Sequence, residues 1–198
     1  MTGTPTAQTT ILRVEDMGDD ILITRFQAGD EHAFRLLMER HSERVRNLIF
    51  SIFHSAELID DLTQDVFIKV YRALAQFRFD AAFSTWLYRI AVNHCRDEIR
   101  KRKLRRFVSL HSLLDSRDKE VTMKTSVEPR ETETRELIDR GLQSLPEKFR
   151  IPVILKDVEG LSYEEMADVM RCEMGTVKSR LSRGRNLLRI YLKPLLEA

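Results

Sequence analysis

Three aspartates in the first half of the chain, Asp60, Asp61 and Asp65, have types and spacing that could support chemistry. Carboxylates that share one side of a helix can bind a divalent cation, which in a nuclease or recombinase would assist phosphodiester cleavage. No histidine lies at ligand spacing to complete such a site, and an acidic helix face is usually solvated or docks a basic partner. We therefore expect no catalytic residue, no metal ion and no cofactor, with a metal-dependent enzyme as the alternative.

A second group of residues, over 83–106, combines aromatic side chains with many cations. The segment contains eight Lys or Arg residues and two acidic residues. On a helix, one side is mostly apolar, and the other carries Trp86, Asn93, Arg96 and Arg100. An aromatic ring beside an amide and guanidinium groups can stack on an unpaired base while cations hold the phosphates. The alternative is a solvated basic helix with Trp86 in the core.

A third group lies on the last predicted helix, over 175–192. Its apolar side contains Gly184, which would allow close packing against a neighbouring helix. The opposite side carries Ser179, Ser182, Arg183 and Asn186, flanked by Lys178, Arg180, Arg185 and Arg189. Arginine can pair bidentately with guanine, hydroxyl groups can bind several bases, and flanking cations can hold phosphates. The pattern favours a helix that reads the major groove, against the alternative of a helix that is basic only for solubility.

Helices must position all three groups, because apolar residues recur at intervals of three and four and no strand pattern is present. The sequence predicts helices over 21–27, 31–53, 56–75, 83–106, 132–143, 147–158, 163–170 and 175–192. The last two are joined by a short turn, which is the helix-turn-helix pattern. We predict an all-α fold with two small helical domains, 19–106 and 132–198, a mobile tail over 1–18 and a flexible linker over 107–131.

Capping residues and apolar positions define these helices further. Ile138 and Val158 are expected to face the core, and Gly160 to adopt a left-handed conformation that ends a helix. Helix starts are expected at Asp19 or Asp20, at Asp30, and at two capping boxes, Ser144 with Glu147 and Ser162 with Glu165.

The composition of the chain, 198 residues with 42% hydrophobic and 32% charged, is typical of a soluble globular protein. No apolar run is long enough to span a bilayer and the N-terminus does not resemble a signal peptide, so we expect a cytoplasmic protein without direct membrane insertion. Cys95 and Cys172 are expected to be free thiols in a reducing compartment. Two basic blocks each follow an acidic block, which indicates a polyanion contacted at two separate places.

Two stretches resemble a known family. Residues 57–106, with DLTQDVFIKVYRAL and FSTWLYRIAVNHCRDEIRKRK, and residues 142–192, with LPEKFRIPVILKDVEGLSYEEMADVM and GTVKSRLSRGRNLLR, are similar to the two conserved domains of bacterial extracytoplasmic-function sigma factors. The resemblance implies a non-enzymatic, dissociable subunit of RNA polymerase that directs promoter recognition and transcription initiation, for a stress or envelope-signal regulon. It also implies a region 2 domain over 19–106 and a region 4 domain over 132–198.

The resemblance assigns roles to the three groups of residues. Polymerase docking, on the beta-prime clamp, falls to Asp61, Gln64, Asp65 and Lys69. Recognition and melting of the downstream (−10) element fall to Phe83, Trp86, Arg89, Asn93, Arg96 and Arg100. Reading of the upstream (−35) element falls to Thr176, Lys178, Ser179, Arg180, Ser182, Arg183 and Arg185. Where family members can have an aromatic residue, Ser182 has a hydroxyl group, which changes the expected upstream preference.

The expected partners are core RNA polymerase, through the beta-prime clamp and the beta subunit, promoter DNA and an inhibitory anti-sigma factor. No stable homo-oligomer is expected. A different class, a two-domain repressor or activator that senses a ligand through its first domain, would need an apolar ligand cavity and would have no use for Trp86 and Asn93.

Overall fold

The computed structural model describes residues 17–112 and 129–196, with side chains over 17–105 and 134–194. Its helices are α1 (Asp19–Gln27), α2 (Glu31–Phe53), α3 (Ala56–Leu74), α4 (Phe83–Ser112), α5 (Pro129–Ser144), α6 (Glu147–Val153), α7 (Tyr163–Met170) and α8 (Met174–Leu196). Over the described ranges there is no strand, which confirms the all-α prediction. Of the predicted tail over 1–18 and the predicted linker over 107–131, residues 1–16 and 113–128 lie outside the described residues. No helix in the described ranges is long and apolar enough to cross a membrane.

The core of the first domain forms where the predicted stripes of α2 and α3 meet, covered by α1 and α4. Side chains at spacings of three and four share one face of a helix, and these faces turn inward. Burial of each large aliphatic side chain stabilises the fold by about 1.5–3 kcal/mol. The buried residues of α2 and α3 include Leu37, Val45, Leu48, Ile49, Ile52, Leu62, Val66, Val70 and Leu74.

A second core lies between α6, α7 and α8, where Ile154, Met166 and Leu181 are buried. Gly184 allows α8 to cross α6 closely, as predicted. A Cβ atom at this position would lie 2.7 Å from the carbonyl oxygen of Phe149 and 2.7 Å from Cγ2 of Val153. Only glycine fits this crossing without moving a backbone.

Several predicted helix ends are confirmed because the signals are local. Asp30 caps α2 by accepting a hydrogen bond from the backbone N–H of His32 at 3.0 Å. Ser162 and Glu165 form the predicted capping box of α7, with reciprocal hydrogen bonds of 3.1 and 2.8 Å. Gly160 is left-handed, with φ of 74°.

Two predicted caps are wrong. Asp19 and Asp20 both lie inside the first turn of α1, whose N-cap is Gly18. The carboxylate of Asp19 instead binds Arg40 and His41 of α2 at 2.6 and 2.8 Å. Ser144 belongs to the last turn of α5, where its hydroxyl donates to the carbonyl oxygen of Gly141 at 2.6 Å. It therefore cannot form a capping box with Glu147.

Three helices are longer than the sequence predicts. α4 continues from Arg106 to Ser112 and α5 begins at Pro129, so that the helices enter both ends of the predicted linker. Proline is well suited to a first helical position because its missing N–H would have no partner there. α8 runs from Met174 past Pro194 to Leu196, with the loss of the one N–H donor that a residue other than proline would supply at position 194.

The predicted inward positions of Val158 and Ile138 are also wrong, because their side chains are 55% and 42% exposed. After α6, the helix continues as a π-helical turn over Ile154–Val158. Such a turn closes i→i+5 hydrogen bonds and takes an extra residue, which rotates Val158 away from the core. Pro152, which has no N–H to donate, lies just before this turn.

Candidate nucleic-acid interface

An aromatic cluster forms the start of α4 and the loop before it. Trp86 is half-buried, and its ring lies 5.1 Å from that of Phe77 and 5.8 Å from that of Phe83. Phe79 packs on Phe77 at 5.0 Å, has a left-handed φ of 59° and is 43% exposed. Trp86 therefore packs against the core on one side and remains accessible on the other. This position is intermediate between the exposed stacking ring and the core residue that the sequence allowed.

Two guanidinium groups of α4, those of Arg89 and Arg96, contact the second domain. Arg89 Nη1 lies 2.9 Å from Oδ1 of Asp168. Arg96 Nη1 donates to the carbonyl oxygen of Met170 at 3.3 Å, and its Nε lies 3.8 Å from Oε1 of Glu147. Burial is the main reason that the pKa of Arg96 is lowered from its usual value. Two of the predicted −10 cations therefore contact the helix-turn-helix domain.

Polar side chains of α4 extend the same contact. Tyr88 Oη donates to Oε2 of Glu159 at 2.6 Å, and Thr85 Oγ1 donates to Oε1 of Glu165 at 3.3 Å. Burial, followed by the bond to Glu159, raises the pKa of Tyr88. Of the remaining predicted residues, Phe83 is buried, Asn93 is half-buried and Arg100 is exposed.

The predicted reading face of α8 points to solvent. Lys178, Ser179, Ser182 and Arg183 are exposed, and Thr176 is half-buried. Among the described residues, no hydrogen bond or ion pair engages Ser179, Ser182 or Arg183, whereas Lys178 Nζ lies 5.5 Å from the ring centroid of Tyr163. The free hydroxyl and guanidinium groups lie along one side of the helix, as major-groove reading requires.

Two flanking cations of α8 are less free than their neighbours. Arg185 forms a bidentate pair with Asp157, with Nε donating to Oδ2 at 3.0 Å and Nη2 to Oδ1. This carboxylate raises the pKa of Arg185 above its usual value. Arg180 is half-buried. Its positive charge is near enough to Arg96 to help lower the pKa of Arg96.

The predicted polymerase-docking residues share the outer face of α3. Asp61, Gln64, Asp65 and Lys69 are all exposed. Beside them, a cleft of about 750 Å³ opens between α2 and α3. Its lining residues include Phe34, Met38, Asp60, Gln64, Phe67, Ile68 and Tyr71. The acidic face thus borders an apolar depression that could receive a partner's side chain.

A buried histidine of α4, His94, lies between two of these docking residues. Lys69 Nζ donates to Nδ1 of His94 at 2.7 Å, and Nε2 lies 3.4 Å from Oδ2 of Asp65. Asp65 and Lys69 are four residues apart on α3, a spacing at which opposite charges ordinarily pair directly. His94 lies between them: its Nδ1 accepts a hydrogen bond from Lys69, whereas its Nε2, although close to Asp65, has no hydrogen-bond partner among the described residues.

The pH dependence of stability should carry the signature of His94. Its pKa in the fold is lowered from 6.5, first by burial and then by Lys69. As the pH falls below 6.5, the unfolded chain binds the proton before the folded chain does, so stability falls. We expect the melting temperature of the wild type to drop between about pH 7.5 and 5.5 more than that of His94→Gln. Parallel curves for the two proteins would contradict this role.

The described residues contain no group of three His, Cys, Asp or Glu side chains able to hold a metal ion. Asp60 instead pairs with Arg46, outside any cluster with Asp61 and Asp65. Cys95 is buried, and burial raises the pKa of its thiol to about 12, so it is a poor nucleophile at neutral pH.

Sequence reasoning missed a set of polar residues that join the two domains at the end of α2. Arg150 donates to the carbonyl oxygens of Ile52, Gln143 and Leu145 at 2.8, 2.9 and 2.9 Å. His54 Nε2 lies 2.9 Å from Oδ2 of Asp139. Neither periodicity nor a motif marks these residues, because their partners are backbone carbonyls or side chains distant in sequence.

Comparisons with known proteins find two sigma-factor regions in this chain. Residues 37–105 match the family model of Sigma-70 region 2, and residues 135–188 match that of Sigma-70 region 4. The ECF RNA polymerase sigma-E factor of Escherichia coli (strain K12) is 37% identical over 189 residues, covering 92% of this chain and 98% of that protein. The RNA polymerase sigma-H factor of Pseudomonas aeruginosa is 38% identical over 190 residues, covering 90% and 95%.

Two solved structures have a similar fold. CnrH, in complex with the cytosolic domain of CnrY, has a TM-score of 0.66 at 26% identity and covers 89% of this chain and 97% of its own. The sigma factor RpoE from Bartonella quintana, in complex with the anti-sigma factor NepR, has a TM-score of 0.64 at 26% identity and covers 81% and 96%. With both sigma regions matched in order and relatives aligned over nearly their full length, the chain belongs to the extracytoplasmic-function sigma factors.

Proposed function

We propose that this chain binds core RNA polymerase through the outer face of α3, receives the melted −10 strand on α4 and reads the −35 duplex with α8. The observation that carries the proposal is the reading face of α8, where Ser179, Ser182 and Arg183 are exposed and have no partner among the described residues. Such a face, beside flanking cations, suits base edges in the major groove. The mechanism is binding: unstacking a base costs a few kcal/mol, which contacts to the base and the phosphates must offset.

The decisive experiment is transcription in vitro with purified core polymerase, this chain and a genomic DNA library. We expect transcripts that begin at a defined set of promoters and that core polymerase alone does not make. Transcription with polymerase that does not depend on the added chain would contradict the proposal. Permanganate reactivity of unpaired thymines then reports opening at each promoter, and Trp86→Ala should reduce it.

The cleft beside α3 bears on polymerase docking. Ile68 is 39% exposed and lines the cleft, where a partner's apolar side chain would bury it. Ile68→Glu would place a charge there, and we expect about tenfold weaker binding to core polymerase. Ile21→Glu is the matched control, since Ile21 is 47% exposed on α1 and does not line the cleft. Equal affinities for the two variants, measured by fluorescence anisotropy, would place the docking surface elsewhere.

The same cleft is the feature that a ligand-sensing repressor would use, because its volume suits a small molecule. The acidic residues along its edge favour a protein partner instead. A small-molecule screen by thermal shift separates the two: a ligand that stabilises wild type but not Ile68→Glu, with no polymerase binding, would favour the repressor.

We also propose that an anti-sigma factor restrains this chain, as in the RpoE–NepR complex of a structurally similar sigma factor. The protein is then expected to co-purify from its cells with an inhibitory partner. A chain that is free and active under all growth conditions would contradict this part of the proposal.

A further inference from the structure

Gln27, the last residue of α1, connects this helix to the loop between α3 and α4. Its Nε2 donates to the carbonyl oxygen of Leu74 at 3.2 Å and to that of Phe77 at 2.9 Å. These acceptors lie 47 and 50 positions away in the chain, at the end of α3 and in the loop that follows. Because an amide nitrogen carries two hydrogens, this one side chain can donate both bonds and fix the start of the loop.

Phe77 is the centre of the aromatic cluster that includes Trp86. Phe77 is only 8% exposed, and its ring lies 5.1 Å from that of Trp86 and 5.0 Å from that of Phe79. Both contacts are edge-to-face, an arrangement that depends on the orientation of each ring. The position of the Phe77 backbone therefore sets where the two neighbouring rings lie.

Phe79 is the most exposed ring of this cluster, at 43%. Its left-handed φ of 59° is a conformation that bulky side chains rarely adopt, and one that persists only where the surrounding structure holds it. The contact with Phe77 supplies part of that support. Beside the half-buried Trp86, the exposed ring of Phe79 provides a second surface on which an unpaired base can stack.

We propose that Gln27 is a positioning residue for capture of the melted strand. By holding the backbone of Phe77, it keeps Trp86 packed on one side and Phe79 exposed, so that both rings are placed for stacking. Without its two hydrogen bonds the loop would sample several conformations, and affinity for an unpaired strand would fall with the fraction of chains in the competent one. The inference rests on the proposed role of α4 in receiving the melted strand.

Three variants separate the hydrogen bonds of Gln27 from its shape and charge. Gln27→Met removes both donors and keeps the length and the neutral charge of the side chain. Its matched control is Gln76→Met, at an exposed glutamine of the same loop whose side chain has no hydrogen-bond partner among the described residues. Gln27→Lys restores a donor of sufficient reach, and an ammonium group is favourable beside the last carbonyl groups of a helix.

The first measurement uses the fluorescence of Trp86, the single tryptophan of the chain, in each free full-length protein. We expect Gln27→Met to emit at longer wavelength than wild type and to be quenched more strongly by acrylamide, because Trp86 loses its packing on Phe77. Gln27→Lys and Gln76→Met should resemble wild type. A wild-type spectrum from Gln27→Met would overturn the inference. Equal red shifts in Gln27→Met and Gln27→Lys would overturn it too, because the donors would then not be what holds the loop.

The second measurement is promoter opening by core polymerase with each protein, read as permanganate reactivity of unpaired thymines at a promoter identified by the transcription experiment. We expect Gln27→Met to lower opening about fivefold, which is a partial loss of the stacking that aromatic rings supply. Its affinities for polymerase and for the −35 duplex should change by less than about twofold, because Gln27 belongs to neither proposed contact. Polymerase affinity that falls as much as opening would indicate a general structural role and would overturn the inference.

Failure of this inference can be told apart from failure of the proposed function. Wild-type protein that opens no promoter with polymerase would contradict the proposed function and, with it, the role of Gln27. Wild-type protein that opens promoters, with Gln27→Met opening them equally well, would overturn the role of Gln27 alone.

Discussion

Replacing Gly184 by valine is expected to unfold the second domain and to abolish duplex binding. A Cβ atom at this position meets the carbonyl oxygen of Phe149 at 2.7 Å, and a backbone atom of α6 cannot move aside as a flexible side chain would. Overpacking of this kind costs roughly 3 kcal/mol or more, a large part of the stability of a small domain. Circular dichroism during thermal unfolding measures the loss.

Two alanine variants, which are expected to change stability in opposite directions, provide a control. Gly175 lies near the start of α8, where an added Cβ atom would have no neighbour within 4 Å among the described residues, so Gly175→Ala should stabilise the helix by up to about 1 kcal/mol. Gly184→Ala has the same helix-propensity gain but is expected to be destabilising, by about 2 kcal/mol, because of the crossing with α6. Two variants that shift stability in the same direction would contradict the close packing.

Replacing Arg183 by alanine is expected to lower affinity for the specific −35 duplex by about 10- to 100-fold. Its guanidinium group is exposed at the centre of the reading face and has no protein partner among the described residues. A bidentate pair with guanine contributes about 1–3 kcal/mol of discrimination. Arg183→Lys should not restore it, because an ammonium group lacks the planar fork. The measurement uses a duplex identified by the transcription experiment and a scrambled duplex.

Arg189→Ala provides the comparison for Arg183. Arg189 lies further along α8, where its Nη2 donates to Oδ1 of Asn186 at 2.9 Å. A cation of this kind holds phosphates, and its loss should weaken binding to both duplexes equally. If Arg183→Ala also weakened both duplexes equally, Arg183 would be a phosphate contact and not a reader.

Much of the fold follows from local sequence. The bounds of α2 and α7 agree with their predicted ranges because the signals that set them lie within a few residues, as in the capping box of Ser162 and Glu165. The apolar stripe of α3 is buried from Leu62 to Leu74 for the same reason, since helical spacing alone places these residues on one face.

Tertiary contacts explain what local sequence could not predict. Arg150 looks like any surface cation on α6, yet its donors reach the carbonyl oxygen of Ile52, 98 positions away in the chain. The π-helical turn that exposes Val158 follows Pro152, whose effect on helix register depends on how the chain packs afterwards. The sequence does not decide whether Trp86 is buried or exposed, because aromatic packing on Phe77 is compatible with both.

In the candidate site, too, features set by local sequence could be predicted and features set by tertiary contacts could not. The exposed side of α8 could be predicted because Ser182 and Arg183 lie opposite its buried residues on a regular helix. The covered state of Arg89 could not, because it depends on the arrangement of the two domains and on the position of Asp168 in that arrangement. Charge balance over the whole sequence does not reveal which cation meets which carboxylate.

The bidentate pair of Arg185 with Asp157 has a consequence for how binding responds to salt. DNA binding releases one condensed counterion for roughly each phosphate that a protein cation neutralises. A guanidinium group that already has a carboxylate beside it neutralises little. Arg185 should therefore add almost nothing to the slope of log affinity against log salt, and Asp157→Asn should make that slope steeper by about one.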